Sequence, residues 1–224
     1  MKLSSQTIEI LKNFASINNG ILFKEGNKLS TVSASKTILA EANLNEEFPQ
    51  KFGIYDLNQF LSVMSLYKND AELDFDSVNV TFKQGRSQTK YRITDESMIV
   101  VPPNKQLALP SVDVQFSLTA SDYDWLMTTA KVLQSPNIAV QSDGENVSLT
   151  TFDASNDSAH TNSIEIGEGN GQVYKLVFKT DNLKMIPGAY EAKISAKGIS
   201  QFVNQSIDLT YWIAIEAGIS KFGE

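Results

Sequence analysis

The chain has 224 residues, no cysteine, one histidine and a formal net charge of −7 at neutral pH, from 19 basic and 26 acidic side chains. That length suffices for a sizeable core in one or two domains, and the lack of cysteine excludes thiol nucleophiles, zinc–thiolate sites and disulfide staples. The acidic balance excludes a protein that coats nucleic acid with its whole surface, because phosphate binding draws on clustered Lys and Arg; any such contact belongs to one local face.

Four times along the chain a short amphipathic helix opens on a hydroxyl or acidic cap and is followed by alternating strands. The helices begin near Ser4, Asp56, Ser121 and Thr180, a repeat of roughly 50 to 65 residues that suits a pseudo-symmetric scaffold better than an enzyme. In the first helix Leu3, Ile10, Leu11, Phe14 and Ile17 form an apolar stripe, with Lys2, Glu9, Lys12, Asn13 and Ser16 opposite. Asn18-Asn19-Gly20 stops it, strands follow over 21–44, and Glu25-Gly26-Asn27 is expected to turn a hairpin. A strand over 52–55 enters a second helix capped by Asp56, packed through Leu57, Phe60, Leu61 and Met64, with Asn58, Gln59, Ser62 and Ser65 outward. Strands over 71–75, 78–82 and 87–93 complete an N-terminal domain, 1–94.

The segment 95–112 reads as a connector, since Pro102-Pro103 denies the backbone ladder its donors. It is apolar for much of its length, through Met98, Ile99, Val100, Val101, Leu107 and Leu109, so it is either a strap packed on the body or an exposed docking surface. The C-terminal domain, 113–224, repeats the plan. A strand over 116–118 enters a helix capped near Ser121 or Asp122, with Trp125, Leu126, Ala130 and Leu133 inward and Asp124, Thr128 and Lys131 outward. Ser142-Asp143-Gly144-Glu145 turns a hairpin between strands at 138–140 and 147–149. A polar loop at 153–157, a strand over 160–166 and a flexible tip at 167–171 follow. The chain ends with a strand over 174–178, a short helix over 182–185 stopped by Pro187-Gly188, and strands over 190–195, 199–203 and 207–216. The class is α+β: two similar domains, each with helices on one face and antiparallel sheet on the other.

Little in the sequence can perform chemistry. His160 stands alone on an expected strand and reads as a surface or structural histidine. Asp74 and Asp76 alternate on a strand and so share a side, as paired carboxylates must for glycoside hydrolysis, yet aspartates near a strand end are more simply a solvated face. Asp153, Asn156 and Asp157 have the oxygens of a calcium loop without its glycine and closing glutamate. No glycine-rich phosphate cradle or nucleophile elbow is present, so no catalytic residue, metal or cofactor is expected. No apolar run reaches the roughly 20 residues that span a bilayer, and the N-terminus leads into a helix instead of a signal peptide; a soluble intracellular protein is expected.

The outward helix faces hold the clearer signal. Lys2, Lys12, Lys131 and Lys184 all face away from the core of an otherwise acidic protein, which suits a DNA-facing wall if the helices lie side by side. Lysines near helix C-termini also simply complement the macrodipole.

Several segments resemble one family: Leu11-Lys12-Asn13-Phe14-Ala15-Ser16-Ile17-Asn18, Ile54-Tyr55-Asp56-Leu57-Asn58, Val101-Pro102-Pro103-Asn104-Lys105, Met185-Ile186-Pro187-Gly188, Ala196-Lys197-Gly198 and Ile213-Ala214-Ile215-Glu216-Ala217. In this order they are similar to the sliding clamp, or DNA polymerase processivity factor, of T-even-type bacteriophages. The resemblance implies a clamp fold, three subunits closing a ring of six domains, and sequence-independent encirclement of duplex DNA. It implies a wall with Lys12, Lys131 and Lys184, joined by Lys2 and Lys197, which compensate phosphates without reading bases. It implies an apolar pocket for the C-terminal peptide of the replicative polymerase and for the clamp loader, made here by Val101, Leu107, Leu109, Ile199, Trp212 and Ala214. It further implies recruitment of the late-transcription apparatus, residence in the cytoplasm of an infected bacterial host, and subunit contacts between the strands near 87–93 and 160–166. The alternative from another class is a phage structural or adhesion β-protein, for which aligned polar helix faces have no purpose.

Overall fold

The computed structural model describes residues 1–105 and 107–223, and the chain divides into two compact units, Met1–Lys105 and Gln106–Glu224. The first unit opens with α1, Ser5–Ile17. The Ser4 hydroxyl caps it by accepting from the Thr7 amide at 3.2 Å, and Glu46 accepts from the Ser4 amide and the Thr7 hydroxyl. Ile10, Leu11, Phe14 and Ile17 are buried, as their spacing predicts, against the antiparallel pair β2 (Gly26–Val32) and β3 (Ile38–Phe48).

The β2–β3 hairpin turns at 33–37, where the Ser33 hydroxyl accepts from the amides of Thr37 and Ile38 at 3.1 Å. Glu25-Gly26-Asn27 turns no hairpin, contrary to expectation. β1 (Ile21–Phe23) pairs instead with β4 (Phe52–Ile54), and Gly26, at φ 96°, redirects the chain from one sheet to the next. Phe23, Phe48, Phe52 and Phe75 close this region with ring separations from 4.6 to 6.1 Å.

Helix α2, Leu57–Leu66, begins where Asp56 accepts from the Gln59 amide at 2.9 Å. It buries Leu57, Phe60 and Met64 and exposes Asn58, Gln59, Ser62 and Ser65. Phe60 meets Phe82 at 5.0 Å and Tyr91 at 5.5 Å, so α2 lies over a sheet of β5 (Glu72–Phe75), β6 (Asn79–Gln84) and β7 (Ser87–Arg92), with β7 at its edge. The chain then straps back over β4. Thr94 bridges Gly53, its amide donating to the Gly53 carbonyl at 2.8 Å, Asp95 caps a 3₁₀ turn at Glu96–Met98, and Ile99 is buried. Gly53 permits this: a Cβ there would stand 2.7 Å from both the Thr94 carbonyl oxygen and Ile99 Cδ1.

In the second unit, β8 (Val114–Leu118) leads into α3, Ala120–Val132. Its cap is Thr119, accepting from the Asp122 amide at 3.1 Å, not Ser121 or Asp122. Tyr123, Leu126 and Ala130 form the buried stripe, Leu133 is half-buried, and Trp125, expected inward, is 53% exposed. Trp125 sits about 100° around the axis from Leu126, and Tyr123 takes the inward place because its hydroxyl has buried acceptors. Under α3 lies a sheet ordered β11 (Asn162–Glu168), β10 (Asn146–Phe152), β9 (Asn137–Asp143), β12 (Val173–Lys179) and β16 (Lys221–Phe222). β8 pairs with β13 (Tyr190–Ser195), which continues to β14 (Ile199–Asn204) and β15 (Leu209–Ala214).

The expected fourth helix is only a 3₁₀ turn, Thr180–Asn182. The residues after it give their backbone groups to tyrosines: Tyr123 donates to the carbonyls of Leu183 and Met185 at 3.0 Å, Tyr190 to that of Ile186, and the Ile186 amide donates to Tyr211 at 3.1 Å. Carbonyls so engaged, with Pro187 next, leave no helical ladder to extend. Two further expectations change. His160 is exposed and precedes β11. The tip at 167–171 is tied to the β9–β10 turn, with the Gly171 amide donating to the Gly144 carbonyl at 2.9 Å.

Candidate functional site

The charged groups singled out from sequence fall on distinct elements. Lys12 is exposed on α1 and Lys131 in the last turn of α3. Lys184 is exposed between Leu183 and Met185, the two residues whose carbonyls accept from Tyr123, so it flanks α3 although no helix carries it. Lys2, expected on the first helix, precedes its Ser4 cap; it is exposed, but its ammonium is paired with Asp70 at 2.7 Å, which holds that carboxyl below its ordinary value. Lys197 is in the β13–β14 turn, a sheet end instead of a helix face. Asp113 fixes that turn by accepting from the Ala196 amide at 2.8 Å and the Ser111 hydroxyl at 2.7 Å.

Of the expected pocket residues, three share one sheet face. Along β15, Tyr211 and Ile213 are fully buried on one side, and Trp212 and Ala214 alternate to the other. Ile199 is the register partner of Ala214, and Gln201 that of Trp212. Trp212 is 7% exposed, and its indole N–H has no acceptor among the described residues. Leu107 and Leu109 are half-buried in the same unit; Val101 is half-buried in the strap of the first unit. The first part of the strap divides between the two alternatives: Ile99 is buried and the Val100 carbonyl accepts from Asn18 at 2.9 Å, while the Met98 and Val100 side chains are exposed.

Two sheet edges, one in each unit, carry opposite charge. β7 exposes Lys90 and Arg92 on the face away from α2, while Tyr91, opposite Val80, turns toward α2 and donates to the Asp56 carbonyl at 2.9 Å. β11 exposes Glu165 and Glu168 on the face away from α3, while Ile164, opposite Leu149, turns toward it.

The chemical candidates are engaged structurally. Asp74 is paired with Lys83, and Asp76 lies beyond β5, accepting from the amides of Val78 and Asn79 at 2.7 Å. Both carboxyls are held below their ordinary value, Asp74 chiefly by the Lys83 hydrogen bond and Asp76 by the two amides, the reverse of what a general acid needs. Asp153 is turned onto the Ser155 hydroxyl and amide. Among the described residues no group of three or more His, Asp or Glu is placed to hold a metal ion.

Comparison with known proteins gives a consistent answer. Residues 2–101 match the family model of the DNA polymerase processivity factor, and residues 115–217 match that of the gp45 sliding clamp, C terminal. The chain is 34% identical over 223 residues to the sliding clamp of Escherichia phage RB69, covering 97% of each. It is 32% identical over 223 residues to that of Vibrio phage KVP40, covering 97% of this chain and all of the relative. Among solved structures, A. fulgidus PCNA bound to the C-terminal region of FEN-1 superposes with a TM-score of 0.72 at 14% identity, covering 96% of each chain; that likeness shows the fold. With both halves matched in order by sequence and the two-domain fold matched by structure, the chain belongs to the sliding clamps, the DNA polymerase processivity factors of T4-like bacteriophages.

Proposed function

We propose that three copies of this chain close into a ring around duplex DNA and hold the replicative polymerase on its template by encirclement. The observation that supports the ring is the pair of oppositely charged edges. A basic β7 edge and an acidic β11 edge in one chain suit a heterologous contact, which repeats from copy to copy until it closes. Lys12, Lys131 and Lys184 compensate phosphates, and Lys197 adds a further cation. Lys2 joins them by exchanging Asp70 for a phosphate. On α2, Asn58 and Gln59 reach phosphates as uncharged donors. Weak contacts suffice because dissociation requires the ring to open.

The face of Ile199, Trp212 and Ala214, in the same unit as Leu107 and Leu109, takes the C-terminal peptide of the polymerase. An apolar anchor fills the aliphatic surface, and a peptide carbonyl meets the Trp212 indole N–H, whose desolvation is otherwise uncompensated. The clamp loader and the late-transcription apparatus use the same surface, in the cytoplasm of an infected bacterial host. The sequence and family matches give no support to a structural or adhesion protein.

Primer extension on circular DNA with polymerase and loader tests the reading: product length should rise with wild-type protein. Trp212→Ala should return products toward the polymerase-alone length while sedimentation still shows trimers. Unchanged product length with Trp212→Ala would remove the pocket assignment, and no gain with wild type would remove the function.

A further inference from the structure

Beside the β7 edge lies a groove of about 410 Å³ lined by Tyr55, Asp56, Gln59, Val63, Thr89 and Tyr91, with Lys90 and Arg92 giving it a net positive rim. Tyr55 is 59% exposed and so presents its ring to the groove's open side. Beside the β11 edge stands Trp125, projecting from α3 with its indole N–H donating to the Asn162 side chain at 3.3 Å. That bond ties the indole to the first residue of the edge strand. The two features belong to complementary edges, each with its helix on one face and its charges on the other. If the edges pair so that Lys90 and Arg92 face Glu165 and Glu168, which share a face because the register shifts between them, the opposite face must bring Tyr91 and Thr89 beside Asn162 and Ile164, because side chains alternate along β7 and over 162–165 of β11. α2 and α3 then stand next to each other on that face, with Trp125 over the groove.

We infer that Trp125 is the anchor of self-assembly, inserting into the Tyr55–Val63–Tyr91 groove of a second copy of this chain. The inference rests on the ring reading and adds to it the residues that hold the joint. The occupant is a second copy and not another partner because the charge on the same edge selects it: the cationic rim of the groove matches the anionic strand that carries the indole. Buried tryptophans at interface centres are the residues on which affinity concentrates, whereas the rim charges set encounter rate and salt dependence.

Sedimentation at micromolar concentration tests it with two single variants, Trp125→Ala and Val63→Glu, whose folding is checked by circular dichroism. Each should raise the concentration needed for trimers at least about tenfold, one hot spot's worth of association. Mixing them is the decisive measurement. The intact Trp125 of the Val63→Glu copy fits the intact groove of the Trp125→Ala copy, but the remaining pair of surfaces is doubly damaged, so the mixture should stop at heterodimers. Trimers in Trp125→Ala at the wild-type concentration, or no heterodimer on mixing, would overturn the inference while leaving the ring intact. A wild-type protein that is monomeric throughout would overturn the ring reading itself.

Discussion

Tyr123, Tyr190 and Tyr211 hold the segment 183–186 by their hydroxyls in the second unit, where a helix would otherwise hold itself. Burial pushes the Tyr123 and Tyr211 hydroxyls well above the ordinary tyrosine range, so they remain protonated at any working pH. Tyr123→Phe strips the Leu183 and Met185 carbonyls of a buried donor, and urea unfolding should show a loss of about 1–3 kcal/mol. A loss within error would mean that water replaces the hydroxyl. Asp113 offers a pH signature. Its carboxyl lies below the ordinary 3.8, held there first by the Ser111 hydroxyl and also by the Ala196 amide. A carboxylate depressed in the folded state binds protons more readily when unfolded. Its contribution is therefore full above 3.8 and lost as pH falls through the folded value. Thermal unfolding should thus show Asp113→Asn less stable than wild type at pH 6, with the gap closing below pH 3.8; a gap independent of pH would contradict the assignment. None of these tyrosine roles was legible in the sequence. The third helix reads as packing through Trp125 instead of Tyr123, and the acceptors of the Tyr123 hydroxyl lie some 60 residues away.

Elements whose signals are local were legible. α1 and α2 each combine a capping side chain with an apolar stripe at helical spacing, and both form within a residue of where those signals put them. The hairpin expected at Glu25-Gly26-Asn27 failed because a glycine turn says where the chain bends but not which strand it then meets, and β1 found β4 instead. α3 formed as expected but rotated, since Trp125 and Tyr123 are both large and aromatic and only the buried carbonyls of 183 and 185 decide between them. The strap depends on one glycine. Gly53→Ala should lift it from β4 at a cost of about 1–3 kcal/mol, and limited proteolysis should then cut within 94–104 sooner than in wild type. Equal cleavage rates would show that the strap does not depend on the Gly53–Thr94 bridge.

At the scale of the whole molecule, the sequence pattern carried the doubled α+β plan and family resemblance carried the identity, while the candidate surfaces were only partly legible. Lys12 and Lys131 could be listed from helix periodicity, but Lys2 precedes α1 and has an ion-pair partner 68 residues away, and Lys184 sits on a tyrosine-held turn. The charge of the two edges became visible only with the sheet order, because strand edges are defined by long-range pairing. The central claim is topological retention, and its most direct measurement is the lifetime of loaded protein on one circular DNA before and after a single cut. The account predicts that the protein stays on the closed circle through a salt wash that screens phosphate contacts, and leaves by sliding once the cut supplies free ends. Equal retention on the circular and linear forms would contradict encirclement.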